Sequence, residues 1–98
     1  MRILLVEDDA SIVRALSELL RAEGYEVVDA ARQDDAIHLL ERDRFDLALL
    51  DVTLAQGTGF AVCAAARDAA PGMPVIFLTA SDDEYSTVMG LDMGAVDY

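Results

Sequence analysis

Ile3-Leu-Leu-Val-Glu-Asp-Asp9 opens the chain with four apolar residues followed at once by three acids. Four residues are too few for a signal-peptide core or a membrane span, and a continuous apolar run of that length suits a β-strand covered on both faces. Two further runs repeat the pattern. Asp46-Leu-Ala-Leu-Leu50 leads into Asp51, and Val75-Ile-Phe-Leu78 leads into Thr79. These three runs read as central strands. Tyr25-Glu-Val-Val28 carries a charge at its second position and has Asp29 next, which suits a strand at a sheet edge.

Between the strands the apolar period changes from continuous to helical. Ile12, Val13, Leu16, Leu19 and Leu20 recur on a helical repeat, with Asp9 before them as a start signal and Gly24 after them as a stop. A second helix is predicted from about Asp34 to Arg42, with Ala36, Ile37 and Leu40 inward. A third follows Gly59 and ends before Pro71-Gly72, because proline has no amide proton to donate. Ser81-Asp-Asp-Glu84 fits a capping box for a fourth, with Val88, Met89 and Leu91 to Met93 as its apolar material. Gly94-Ala-Val-Asp-Tyr98 resembles the approach to a fifth strand. Strand and helix signals alternating in this way predict repeated βα units, hence an α/β fold with a parallel sheet, in one domain spanning residues 1–98.

Composition limits the function. Of 98 residues, 54% are apolar and 27% charged, enough for a folded core. The net charge of −12, with the seven arginines scattered and no lysine, leaves no basic patch and disfavours direct binding to nucleic acid or an anionic membrane. The single cysteine, Cys63, cannot form an internal disulfide and sits in the apolar run Phe60-Ala-Val-Cys-Ala-Ala-Ala66. His38 stands alone in the second helical pattern and reads as a surface residue. A cytoplasmic protein is expected.

In open parallel α/β sheets, ligands bind beyond the carboxyl ends of the strands. The residues there are Glu7, Asp8 and Asp9 after the first strand, Asp51 after the third, and Thr79 after the fourth. Carboxylates sharing one cleft repel each other by about 4 kcal/mol per pair at about 4 Å and an effective dielectric of about 20. A divalent cation would offset that repulsion, and oxygen-only ligands suit Mg²⁺ or Mn²⁺ better than Zn²⁺. Asp9 serves equally well as a helix cap. Three consecutive acids exceed what one cap requires, which favours a site role for Asp8. Asp51 starts no helix immediately, since Gly57 and Gly59 intervene, so capping does not account for it.

Leu5-Val-Glu-Asp-Asp9, Leu49-Leu-Asp-Val-Thr-Leu54 and Phe77-Leu-Thr-Ala80 together resemble the signature segments of response-regulator receiver domains, and the resemblance covers essentially the whole chain. It implies a flavodoxin-like doubly wound sheet of strand order 2-1-3-4(-5). It implies that Asp51 accepts a phosphoryl group from a histidine kinase, that Glu7 and Asp8 hold Mg²⁺ with Asp51 and the Thr53 carbonyl, and that the Thr79 hydroxyl and Ala80 amide receive the phosphoryl oxygens. Tyr98 resembles the family's aromatic switch, although a purely structural strand aromatic fits it equally. Thr53 and Ser81 would flank the path of an attacking water and tune the lifetime of the phosphoryl group. A carboxyl-terminal output domain, in some such proteins DNA-binding, and a homodimer through the face of the fourth helix follow from the same resemblance.

Several positions depart from the family pattern. Ala55 stands where proline is common and Thr58 where aspartate is common. The family usually supplies a lysine shortly after the switch aromatic and this chain stops before that position, so the carboxyl-terminal part of the domain, its fifth βα unit, is expected to be missing. Three other readings compete. A pseudo-receiver would keep the fold and act only as an interaction module. An aspartate-nucleophile phosphohydrolase of the haloacid-dehalogenase type wants a second aspartate where Thr53 stands. A flavodoxin-like cofactor binder would need a phosphate-cradling loop where Glu7-Asp-Asp9 would repel phosphate. The expected role is a signalling phosphoacceptor, with only self-catalysed transfer and loss of phosphate, rather than a turnover enzyme.

Overall fold

The computed structural model describes residues 1–78. Their order is β1 (Arg2–Val6), α1 (Ala10–Ala22), β2 (Glu26–Ala30), α2 (Gln33–Arg42), β3 (Leu47–Leu50), α3 (Gly59–Ala69) and β4 (Val75–Phe77). All four strands are parallel, in the order β2-β1-β3-β4. The chain is an α/β protein with the flavodoxin-like arrangement, and β2 lies at the edge as its charged pattern predicted. β4 has one strand neighbour among the described residues, β3. The predicted fourth helix and fifth strand lie outside the described residues.

Alternation along each strand divides the core in two. Leu4 and Val6 of β1, Ala48 and Leu50 of β3, and Val75 and Phe77 of β4 face Ala36 and Leu40 of α2 and Val62, Cys63 and Ala66 of α3. The opposite face presents Ile3, Leu5, Val27 and Leu49, against which Val13, Leu16 and Leu20 of α1 pack. Helices therefore cover both faces, and burying each large aliphatic side chain contributes roughly 1.5–3 kcal/mol. Within α1, Ile12 and Leu19 share the helical repeat but are exposed, so the inward stripe is narrower than the sequence pattern. In α2, Ala36 and Leu40 are buried while Ile37 is only half-buried, because it lies to one side of the line of contact.

The helix ends explain the boundaries. Asp9 caps α1, its carboxylate accepting from the amides of Ser11 and Ile12 at 2.9 and 3.3 Å. Gly24, at φ +91°, lets the chain reverse, with the Tyr25 amide returning to the Leu20 carbonyl at 3.1 Å. Thr58 caps α3 by accepting from the Ala61 amide at 3.2 Å. Hydroxyl therefore does the work of the carboxylate expected at that position. Cys63 is fully buried in α3, and burial pushes its thiol upward against a weaker lowering effect of Arg67.

Candidate functional site

Parallel pairing brings the ends of β1, β2 and β3 to one edge of the sheet. The Glu7 amide donates to the Ala30 carbonyl at 3.0 Å, and the Asp51 amide donates to the Val6 carbonyl at 2.8 Å. The acids after two non-consecutive strands thus meet across a single ladder. One carboxylate oxygen from each of Glu7, Asp8 and Asp51 lies within 4.8 Å of the others. Glu7 is buried at 3% exposure, Asp51 is half-buried and Asp8 is exposed, so the cluster opens to solvent on one side.

Local hydrogen bonds orient these side chains. Asp51 Oδ1 accepts from the Val52 amide at 2.8 Å, which fixes the carboxylate at the strand end. Glu7 Oε1 accepts from the Asp9 amide at 3.0 Å. The Asp9 carboxylate, which caps α1, is not one of the clustered oxygens. The two readings of Asp9 are thereby separated: it supports the site through its backbone only.

Burial pushes the Glu7 carboxyl up from 4.5 to about 7. The Asp9 amide opposes the rise, while the Asp51 charge, contact with the Asp51 carboxyl and the Asp8 charge add to it. Such a site has more negative charge than it can hold without a proton or a cation. All three donors are carboxylates, a hard oxygen set that fits Mg²⁺ or Mn²⁺ and lacks the nitrogen and sulfur that Zn²⁺ favours.

The loop from Asp51 to Thr58 joins β3 to α3. A Cβ on Gly59 would run into the Asp51 carbonyl, so only glycine allows α3 to begin this close to the acceptor strand. The Gly59 amide donates to the Val52 carbonyl at 2.8 Å. Thr53 is exposed and pairs with Thr58 in an antiparallel bridge, and Leu54, at 7% exposure, anchors the middle of the loop. Thr79, Ala80, Ser81 and Tyr98 lie outside the described residues. His38 is exposed on α2, as predicted for a surface residue. Among the described residues no helix is long and apolar enough to cross a membrane.

Two residues emerge that the sequence did not single out, Gln33 at the start of α2 and Gln56 in the loop after Asp51. Their side chains bind each other's segments: Gln33 Oε1 accepts from the Thr58 amide at 3.0 Å, and Gln56 Oε1 accepts from the Asp34 amide at 3.1 Å. No spacing rule marks such a pair, because its partners are 22 and 25 residues apart.

Comparison with known proteins agrees with the geometry. Residues 3–98 match the family model "Response regulator receiver domain". The transcriptional regulatory protein DltR of Streptococcus agalactiae is 43% identical over 98 residues, which are all of this chain and 44% of that protein. The chain therefore spans less than half the length of that curated relative. A receiver domain protein (CheY-like) from Methanospirillum hungatei superposes with a TM-score of 0.94 at 35% identity, covering 99% of this chain and 78% of that one. The receiver domain of the sensor histidine kinase PA1611 from Pseudomonas aeruginosa, described with a magnesium ion coordinated in its active site cleft, superposes at 0.89 with 31% identity, covering 99% and 81%.

Proposed function

This chain belongs to the family of response regulator receiver domains, and on that premise we propose that Asp51 is its phosphate acceptor, serving a histidine kinase in a reaction that depends on a divalent cation. The observation that supports this is the convergence of Glu7, Asp8 and Asp51 within 4.8 Å at the carboxyl ends of adjacent strands. Glu7, Asp8, Asp51 and the Thr53 carbonyl would hold Mg²⁺ or Mn²⁺. When bound, the cation neutralises charge on the transferring oxygens and on the acids around them.

Asp51 supplies the nucleophile. An Asp51 carboxylate oxygen forms the new O–P bond as the P–N bond to the kinase histidine breaks, and the electron pair leaves with the imidazole nitrogen. The product is an acyl phosphate. The Val52 amide, bonded to Asp51 Oδ1, keeps the carboxylate oriented during attack. By the family resemblance, the Thr79 hydroxyl and Ala80 amide receive the phosphoryl oxygens, Tyr98 follows Thr79 as the switch, and Thr53 and Ser81 border the approach of hydrolytic water. The chain acts as a signalling domain that is phosphorylated and reset. Relatives named as a transcriptional regulatory protein, DltR, and as a DNA-binding response regulator, MtrA of Mycolicibacterium paratuberculosis, support a DNA-binding output domain as its partner, and a homodimer through the fourth-helix face would carry the response.

Incubating the chain with a small phosphodonor and Mg²⁺ should add one phosphate to the intact mass, and Asp51→Asn should remove that addition. Equal labelling of the variant would overturn the assignment.

A further inference from the structure

Resting on the assignment of Asp51 and its cation, we propose that Gln33 and Gln56 are positioning residues that hold the metal-binding loop against the first turn of α2. The helix needs such a partner. Its N-cap residue, Arg32, makes no side-chain capping bond, leaving the first-turn amides to be satisfied from elsewhere. The loop satisfies two of them: the Gln33 amide donates to the Gln56 carbonyl at 2.8 Å and the Asp34 amide to Gln56 Oε1 at 3.1 Å.

In return the helix holds the loop. Gln33 Oε1 accepts from the Thr58 amide at 3.0 Å, and the Ala31 carbonyl accepts from the Ala55 amide at 3.3 Å. Both glutamines are half-buried. Gly57, between the loop's two contact points, sits at φ +80°, and a Cβ there would strike the Gln33 side chain. The loop is shaped to admit that side chain.

Thr58, held by Gln33, pairs in turn with Thr53, the residue whose carbonyl is assigned to the cation. Metal sites tolerate only a few tenths of an ångström in ligand position, so the carbonyl of exposed Thr53 depends on what braces the loop besides the buried Leu54 beside it. Glu7, Asp8 and Asp51 stand at strand ends and need no such brace. Thr53 does, and the two glutamines supply it, Gln33 from a helix with no ligand of its own and Gln56 from within the loop.

The test measures Mg²⁺ affinity by titration calorimetry in the full chain, without any phosphodonor. Gln33→Met and Gln56→Met keep side-chain length and remove the acceptor. Each should weaken Mg²⁺ binding about threefold to tenfold, the range of one net hydrogen bond, and the double variant should lose less than the product of the two. Leu40→Val serves as a comparison, since it trims the shared core near the far end of α2 and leaves every hydrogen bond between helix and loop in place, and it should leave the affinity unchanged. Affinities within about twofold of wild type in both glutamine variants overturn the proposal. An equal loss in Leu40→Val also overturns it, since stability alone would then explain the effect. If the wild-type chain itself binds no Mg²⁺, the cation assignment fails first.

Discussion

Glu7 is the residue whose chemistry is most sensitive to what occupies the site. Its carboxyl lies at about 7 in the folded chain against an ordinary value of 4.5. The folded state therefore binds this proton more tightly than the unfolded state. That stabilisation is fully present below pH 4.5 and is lost as pH rises to about 7. Each unit of the difference corresponds to about 1.4 kcal/mol. In the absence of divalent cations, Glu7→Gln should be more stable than wild type by roughly 1–3 kcal/mol at pH 8, with the advantage vanishing below pH 4.5. Thermal melts across that range check it, and an advantage independent of pH would contradict the assigned cause. Adding Mg²⁺ should raise the melting temperature of wild type and not that of Glu7→Gln. Below pH 7 the proton on Glu7 competes with the cation, so Mg²⁺ affinity should fall there.

At the scale of elements, the site depends on where helices begin. Thr58→Ala removes the α3 cap bond and should cost about 1 kcal/mol in denaturant unfolding. Gly59→Ala is the sharper test, because its methyl group meets the Asp51 carbonyl rather than solvent. It should lower stability by about 1–3 kcal/mol and weaken Mg²⁺ binding as well, whereas Thr58→Ala should affect chiefly stability. The strands and the first three helices were legible in the sequence because apolar runs and helical repeats are local patterns. Asp9, Gly24 and Gly59 were legible as punctuation for the same reason. Asp9 remained divided between cap and ligand until hydrogen bonds to Ser11 and Ile12 assigned its oxygen. Gln33 and Gln56 left no local trace, since each matters only through an amide on a segment distant in sequence.

Over the whole molecule, two half-cores on a single parallel sheet hold three carboxylates at one edge, and the strand order decides that they meet. Leu50 and Val6 lie on the fully buried face directly beneath Asp51 and Glu7 in sequence. Leu50→Ala should therefore destabilise the whole chain by about 2–5 kcal/mol, visible as a lowered denaturant midpoint. The convergence of Glu7, Asp8 and Asp51 was inferable only once strands one and three were taken as neighbours, which no local pattern states. The net charge of −12 adds a global term, since an acidic molecule gathers cations around it. If Asp51 carries the phosphoryl group, that group can be trapped in place. After treatment of the chain with phosphodonor and Mg²⁺, borohydride reduction converts a phosphorylated aspartate to homoserine, which peptide fragmentation by mass spectrometry can locate. Homoserine is expected at position 51. Homoserine at Asp8 or Asp9 with Asp51 intact, or phosphate recovered only on His38, would contradict it.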